Sequence, residues 1–351
     1  MSYGSAVKYG YSNTRVKAME AKLIKSQEMQ GIAAAKSIND ILPLLIQTDY
    51  SQSLADYGGI DIGHSLIDFA LSRNMAGKLE KVLRITPKED RHIMQGITGR
   101  WGIGNMRIAI EAKARGLSFD DISKYIIDYG GYNQAFINEA MREPDVAGLL
   151  ARLEKNPEQA ASVKAALSAY SSSKSVVSAI EGMEHEYHKS TEGMAESLRA
   201  MGEVRAAEIV CMGIDMSNLL MLVKAKQRGL QFSDVEPKLL RNGGIERTSL
   251  RAAYAEHDVA SMLSRQHAFN LAKSIDMYKE KKRLLPFEIE MRNSIFSTSL
   301  KYLRRSVLSF GAILAYVYLK EIEVFTLRIL IKSKEYGLSS EEISRLIEWK
   351  I

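Results

Sequence analysis

The sequence predicts an all-α protein, and three observations lead to that prediction. Proline is scarce, with 6 residues in a chain of 351, while Ala, Leu, Met, Lys, Glu and Arg, which favour helices, are abundant. Apolar residues recur at helical spacing and do not alternate as they do in strands. A pattern of helix, glycine turn and helix also occurs three times. The length allows two or three domains, each with its own core.

The repeated segments define the organisation of the chain. They read WGIGNMRIAIEAKARGLSFDDISKYIIDYGG from Trp101, IDMSNLLMLVKAKQRGLQFSDVEPKLLRNGG from Ile214 and KEIEVFTLRILIKSKEYGLSSEEISRLI from Lys320. Each contains a Gly-Leu step, at Gly116, Gly229 and Gly337, so the steps lie 113 and 108 residues apart. A fixed period of this size indicates one structural unit used three times.

The first helix of each repeat is predicted to be buried and to end at the glycine. Apolar triplets mark its interior at 108–110, 221–223 and 329–331. Its last turn carries a lysine, Lys113, Lys226 or Lys334, that interacts favourably with the negative end of the helix dipole. Glycine suits the left-handed backbone position that follows a helix end, and leucine then closes the turn.

The second helix of each repeat is predicted from its capping residues. A cap residue and a carboxylate three positions later open it, and these pairs are Ser118 with Asp121, Gln231 with Asp234, and Ser339 with Glu342. Apolar residues then point it into the core, and these are Ile122, Ile126, Val235, Leu239, Ile343 and Ile347. A weaker similarity, an Asp-Val-Ala step at Asp145 and Asp258, lies near the start of the second and third units. The predicted domains are therefore residues 1–130, 131–244 and 245–351.

Charge and cysteine content narrow the function classes. The chain has 48 Lys and Arg against 42 Asp and Glu, a formal net charge of +6 spread along its length. A protein committed to nucleic acid usually clusters more positive charge. Cys211 is the single cysteine, so no intramolecular disulfide is possible, and the N-terminus lacks the pattern of a secretory signal. The longest apolar stretch, Val307 to Leu319, is too short to span a membrane and predicts a buried core helix.

The termini and the repeats together resemble a known family. The opening YGYSNTRVKAMEAKL (Tyr9 to Leu23), the following LLIQTDY (Leu44 to Tyr50), the threefold block and the ending YLKEIEVFTLRILIKSKEYGLSSEEI carry the resemblance, which covers the whole chain. They are similar to the C subunit of the archaeal A-type and bacterial V-type rotary ATPases, the family that includes the d subunit of the eukaryotic vacuolar enzyme. The chain departs from the pattern at Thr326, where the first two blocks have Asn105 and Asn218.

The resemblance implies a fold and a role. Members of the family are three similar helical domains arranged with pseudo-threefold symmetry as a funnel, which sits on the cytoplasmic face of the membrane proteolipid ring. The central shaft, made of the D and F subunits, inserts into the funnel. By resemblance the chain is a non-catalytic rotor subunit in a large hetero-oligomer, peripheral to the cell membrane, and requires no cofactor or metal. It would transmit torque between ring and shaft during ion-coupled ATP synthesis or hydrolysis.

The sequence offers little support for a metal site, a phosphate-binding loop or a reactive cysteine. His185 and His188 lie three apart, as metal ligands on one helix face can, but the segment lacks a third ligand and is interpreted as an exposed helix turn. The glycines of GRWGIGN, from Gly99, lack the strand and the GK[ST] of a phosphate loop and are interpreted as a connection between helices. Cys211 is interpreted as a packing residue.

Two basic clusters are the predicted partner-binding residues, and they are Lys279, Lys281, Lys282 and Arg283, and Arg304 and Arg305. Such clusters are often solvated helix faces, but they also suit ring loops, anionic headgroups or an acidic partner. An alternative function is a soluble helical-repeat scaffold that binds nucleic acid, for which binding would be tight and steeply salt-dependent. The leading interpretation expects membrane-bound partners and no nucleic acid. An enzyme ranks third, because no catalytic set of residues is evident.

Overall fold

Helices form every regular element in the part of the chain that the structure describes. The structure is a computed structural model that describes residues 3–56, 63–306, 308–335 and 349. In chain order its helices are α1 (Tyr3–Glu20), α2 (Ser26–Ala34), α3 (Ile38–Ile46), α4 (Ser51–Ala55), α5 (His64–Ile85), α6 (Arg91–Thr98), α7 (Arg100–Ala114), α8 (Phe119–Ile122), α9 (Gln134–Ala140), α10 (Val146–Glu154), α11 (Ala160–Ser173), α12 (Val176–Ala200), α13 (Val204–Gln227), α14 (Phe232–Val235), α15 (Arg247–Tyr254), α16 (Val259–Arg265), α17 (Ala272–Lys281), α18 (Leu285–Arg305) and α19 (Phe310–Glu335). Short 3₁₀ helices lie at Lys88–Asp90, Ser123–Tyr125 and Glu236–Lys238. The all-α prediction is confirmed.

The chain divides into two compact units. We call Met1–Val16, Lys25–Ala34 and Glu192–Ile351 the terminal unit, because it contains both chain ends, and Lys17–Ile24 with Ala35–Thr191 the middle unit. The division falls inside α1 and α12 and on either side of Lys25–Ala34. The three repeat domains and the funnel stay predictions.

The core of the middle unit forms where α7, α10, α11 and α12 meet. Fully buried side chains from these helices pack together, and they include Met106, Ile110, Leu149, Val163 and Met183. Gly182 of α12 allows close packing against α11, since a Cβ there would lie 3.3 Å from the carbonyl oxygen of Ala165. Aliphatic side chains and close helix contact therefore hold this unit together.

The core of the terminal unit forms from α13, α18 and α19, which contact one another pairwise. The apolar stretch predicted to be a core helix starts α19, which begins at Phe310 and is buried from there through Leu319. Val307 lies outside the described residues. The core-helix prediction is confirmed, with its start moved three residues toward the C-terminus.

One described helix, α13, is long and apolar enough to cross a membrane by length and composition. Its apolar side chains belong to the core of the terminal unit, where Ile209, Leu219 and Leu222 are fully buried. Buried Asp215 and Asn218 on the same helix bond to backbone groups of the terminal unit. The helix is therefore interpreted as the core helix of the second repeat.

The first two repeats have the predicted local structure. Gly116 and Gly229 occupy the left-handed region, with φ of 72° and 69°. The lysines in the last turn of the first helix also make equivalent bonds in the two repeats. Lys113 donates to the carbonyl of Met141 and Lys226 to that of Tyr254, each at 2.7 Å. The caps also match, and they are Ser118 with Asp121, the backbone N–H of Gln231 with Asp234, Asp145 with Gly148, and Asp258 with Ser261.

The second helix in each of the first two repeats is shorter than the sequence predicts. The helices α8 and α14 each have four residues and continue as one 3₁₀ turn. Their core positions are nevertheless buried as predicted, namely Ile122, Ile126, Val235 and Leu239. The equivalent residues of the third repeat lie outside the described part of the chain, and they are Gly337, Leu338, Ser339, Glu342, Ile343 and Ile347.

In each of the first two repeats, a buried asparagine bonds to the backbone just after the short helix and its 3₁₀ turn. Asn105 is 1% exposed, donates to the carbonyls of Ile127 (2.7 Å) and Tyr132 (2.8 Å), and accepts from the N–H of Ile127 (2.9 Å). Asn218 makes the equivalent pair with Leu240, at 3.0 and 2.9 Å. The extended segment after each 3₁₀ turn has no helical partners for its backbone groups, so the asparagine supplies them.

Replacing Asn105 by Ala is expected to lower the free energy of unfolding by about 3 kcal/mol, because a buried N–H and two buried carbonyls lose their partner. Asn218→Ala is expected to cost about 2 kcal/mol, since that side chain bonds to the N–H and the carbonyl of one residue, Leu240. Urea unfolding followed by circular dichroism measures both. Gln95→Ala, at an exposed position of α6, is the control. Equal stability of Asn105→Ala and this control would contradict the proposed anchoring.

Candidate partner-binding surfaces

The first predicted cluster forms the turn between α17 and α18. Lys279, Lys281, Lys282 and Arg283 are all exposed there. We call residues 279–285 the basic turn. Lys282 adopts φ of 53° as the left-handed residue that ends α17, and its N–H bonds to the carbonyl of Tyr278 at 2.9 Å. Its ammonium lies 5.2 Å from the centre of the Tyr278 ring, which is buried beneath the turn.

A buried serine fixes the two helices that carry the basic turn. Ser274 of α17 has no exposed surface, and its hydroxyl donates to the carbonyl of Pro286 at 2.9 Å. Its backbone N–H donates to Glu290 of α18 at 3.0 Å. The rings of Tyr278 and Phe287 pack against each other with centroids 5.3 Å apart. Buried contacts between α17 and α18 therefore fix the backbone on both sides of the basic turn.

The second predicted cluster lies at the opposite end of α18. Arg304 and Arg305 are exposed in its last turn, where cations interact favourably with the helix dipole. The helix has 21 residues, so about 30 Å separates its ends. The structure therefore does not bring the six basic residues together. They form two separate surfaces, the basic turn and the Arg304–Arg305 pair.

The connection from α18 to α19 is held by two side chains distant in sequence. Asn13 of α1 accepts from the N–H of Leu308 and donates to the carbonyl of Ser309, both at 3.0 Å. Glu203 accepts from the N–H of Phe310 at 2.8 Å and from the hydroxyl of Tyr302 at 2.9 Å. Burial raises the pKa of Tyr302, so the phenol stays protonated and donates. These contacts fix the backbone that follows the Arg304–Arg305 pair.

Sequence reasoning did not assign a role to Asn13 or Glu203. One signal was available for the first, because Asn13 and Arg15 repeat the spacing of Asn105 and Arg107. Leu308 has φ of 66°, an unusual conformation for a residue with a branched side chain. Asn13 stabilises that conformation with the bond to its N–H. Asn13 of α1 thus bonds to the backbone of this loop, as Asn105 bonds to the extended backbone of the first repeat.

The histidine pair lies in a more buried place than the sequence indicated. Tyr187, between the two histidines, is 4% exposed, and its hydroxyl donates to the carbonyl of Ile97 at 2.9 Å. Burial lowers the pKa of His188 to about 4, and the neighbouring His185 and Arg100 act in the same direction. The interpretation as an exposed helix turn is therefore wrong. Among the residues that the structure describes, no group of three or more His, Cys, Asp and Glu side chains could hold a metal ion.

The glycine segment and the cysteine have structural roles. Gly99 joins α6 to α7, as predicted, while Gly102 and Gly104 lie within α7. A Cβ at Gly102 would lie 3.3 Å from the ring of Tyr132, so glycine there permits close packing. An open cavity of about 560 Å³ lies beside Gly99 and Gly102. Cys211 is buried, as predicted, and its thiol donates to the carbonyl of Asn242 at 3.0 Å; burial raises its pKa.

Comparison with known families shows to which family the chain belongs. The family described as ATP synthase (C/AC39) subunit matches residues 12–346. The chain belongs to this family. The match includes the first two repeats, the third as far as Leu346, α1 from Ser12 onward and both basic clusters, so the features described above belong to the family region of the chain.

Curated relatives of the family match along almost the whole chain, and each is named as the C subunit of an A-type ATP synthase. The protein of Thermococcus onnurineus is 27% identical, over 97% of this chain and 90% of its own length. That of Desulfurococcus is 25% identical, over 96% and 90%, and that of Methanocaldococcus jannaschii is 24% identical, over 97% and 86%. The family resemblance drawn from the repeats and the termini is confirmed.

Proposed function

We propose that this chain is a non-catalytic central-stalk component of an A/V-type rotary ATPase. It connects the membrane proteolipid ring to the central shaft, the D and F subunits, and transmits torque in ion-coupled ATP synthesis or hydrolysis. The match of residues 12–346 to the ATP synthase (C/AC39) subunit family carries this proposal. The name shared by the relatives supports membership of the A-type complex.

Internal stiffness supports a mechanical role. Each of the first two repeats is fixed by a buried asparagine, a capped turn and a lysine that ties its first helix to a later carbonyl. Close-packed helical units of this kind resist deformation, because their interiors have no free volume to yield into. A connector that carries torque needs this property, whereas a regulatory module needs alternative conformations.

We propose further that the protein lies at the cytoplasmic face of the cell membrane, as a peripheral part of a large hetero-oligomer. The two exposed basic surfaces, the basic turn and the Arg304–Arg305 pair, are the proposed contact regions. Shape complementarity over a large interface would supply most of the affinity, while charge would set the register of the partners. No cofactor, metal or nucleic acid takes part in the proposed role.

Affinity purification tests the proposal. The tagged chain, purified from gently solubilised native membranes, is expected to bring with it the proteolipid and the two shaft proteins, identified by mass spectrometry. Cells that express the tag alone provide the control. Recovery of nucleic acid, or of no membrane protein, would contradict the proposal and favour the scaffold function.

A further inference from the structure

The geometry and charge of the basic turn point to a ligand beyond the protein partners. We propose that this turn contacts anionic lipid headgroups of the membrane surface directly, with its cations at the headgroups and Leu285 as a shallow apolar anchor. The inference rests on the proposed function insofar as that function places the chain beside a membrane. It adds a lipid contact to the contacts with ring and shaft.

The first argument is the unbalanced charge of the turn. Residues 279–285 contain four cations and one carboxylate, Glu280. No ion pair joins Lys279, Lys282 or Arg283 to a carboxylate of the described residues. Other arginines of the terminal unit are paired, and their partners are Glu236 for Arg251, Glu256 for Arg265 and Glu288 for Arg292. Most of the positive charge of the turn is therefore left without an internal counter-charge.

The second argument is the apolar residue beside the cations. Leu285 opens α18 and is 43% exposed, directly after Arg283 and the half-buried Leu284. Cations next to an exposed leucine are typical of segments that lie at a membrane surface. A site for single-stranded nucleic acid would need exposed aromatic rings for base stacking, and the two rings at the base of this turn, Tyr278 and Phe287, are 8% and 0% exposed.

The expected strength follows from the number of cations. Each Lys or Arg near an anionic surface increases binding about fivefold, so removal of two decreases it about 30-fold. Four cations alone give weak binding. The contact becomes effective when protein partners already hold the chain at the membrane, because the local concentration of lipid is then high.

Vesicle sedimentation with the purified full-length chain tests the inference. We expect binding to vesicles rich in phosphatidylglycerol, little binding to phosphatidylcholine vesicles, and weakening by salt. The double variant Lys282→Gln/Arg283→Gln is expected to bind about 30-fold less. The matched variant Lys238→Gln/Arg241→Gln removes the same charge from two exposed side chains of the same unit that lie outside both basic surfaces, and it is expected to bind within about twofold of the wild type. Leu285→Ser is expected to weaken binding several-fold and to do so at high salt as well.

Three outcomes would overturn the inference. Equal losses in the two double variants would show a general charge effect, and no binding of the wild type to anionic vesicles would exclude the contact. Unchanged vesicle binding with lost recovery of protein partners by the Lys282→Gln/Arg283→Gln variant would assign the turn to an acidic protein. The proposed function is tested separately, because wild-type recovery of ring and shaft does not depend on vesicle binding. All exchanged side chains are exposed, so equal thermal unfolding confirms that the variants fold.

Discussion

Replacing Lys320 by Met is expected to lower the free energy of unfolding by about 3–5 kcal/mol. Lys320 and Glu323 lie one turn apart on α19, with 1% and 0% of their side chains exposed, and the ammonium donates to the carboxylate at 2.6 Å. Removing the cation takes its positive charge and its hydrogen bond away from a carboxylate that has no exposed surface, which costs far more than the pair itself contributes. Urea unfolding of the purified chain measures the loss.

Two further variants isolate the cause of this effect. Lys332→Met changes an exposed lysine of the same helix and is expected to alter stability by no more than about 0.5 kcal/mol. The double variant Lys320→Met/Glu323→Leu removes both charges and is expected to recover most of the stability lost in Lys320→Met. If Lys320→Met costs as little as Lys332→Met, the pair is not the buried ion pair that the structure shows.

Local structure was predictable wherever the decisive residues lie within one or two turns of each other. Gly116 and Gly229 adopt the left-handed conformation because the chain must reverse there and a side chain would be strained. Asp145 caps a helix because its carboxylate reaches an N–H three residues on. Residue type and spacing alone determine such features, and the structure confirms them.

Features that depend on distant contacts were not predictable. The repeats drew attention to Asn105, but its partners lie 22 and 27 residues further along, so its role required the folded chain. Asn13 and Glu203 act on a loop that is more than a hundred residues away from either. The short α8 has the same origin, because bonds from Asn105 stabilise the extended backbone that a longer helix would have used.

The two basic clusters, which the sequence predicts as one kind of partner-binding site, lie at opposite ends of α18. Arg283 and Arg304 belong to clusters of the same character, and nothing in their local sequence assigns them different partners. Because α18 joins them as one rigid rod of 21 residues, a single small ligand cannot contact both. The candidate site thus becomes two surfaces that separate variants can test.

Gly311→Ala is expected to destabilise the chain by about 3 kcal/mol. A Cβ at position 311 would lie 2.6 Å from the Cζ atom of Tyr302, and nearer still to its Cε1 and Oη atoms. That ring is 8% exposed and its hydroxyl donates to Glu203, which also accepts from the N–H of Phe310. The added methyl group must displace the ring and break the bond to Glu203, so the start of α19 loses support. Thermal and urea unfolding measure the cost.

Gly213→Ala provides the matched control for Gly311→Ala, because it places the same methyl group in the interior of α13 of the same unit. The nearest atom to its Cβ would be the Tyr318 hydroxyl at 3.9 Å, an ordinary contact. This variant is expected to be more stable than the wild type by about 0.5–1 kcal/mol, because alanine favours helices. In a Tyr302→Ala background the clash is gone, so Gly311→Ala should cost little there. An equal cost in both backgrounds would mean that contact with Tyr302 is not the reason position 311 is glycine.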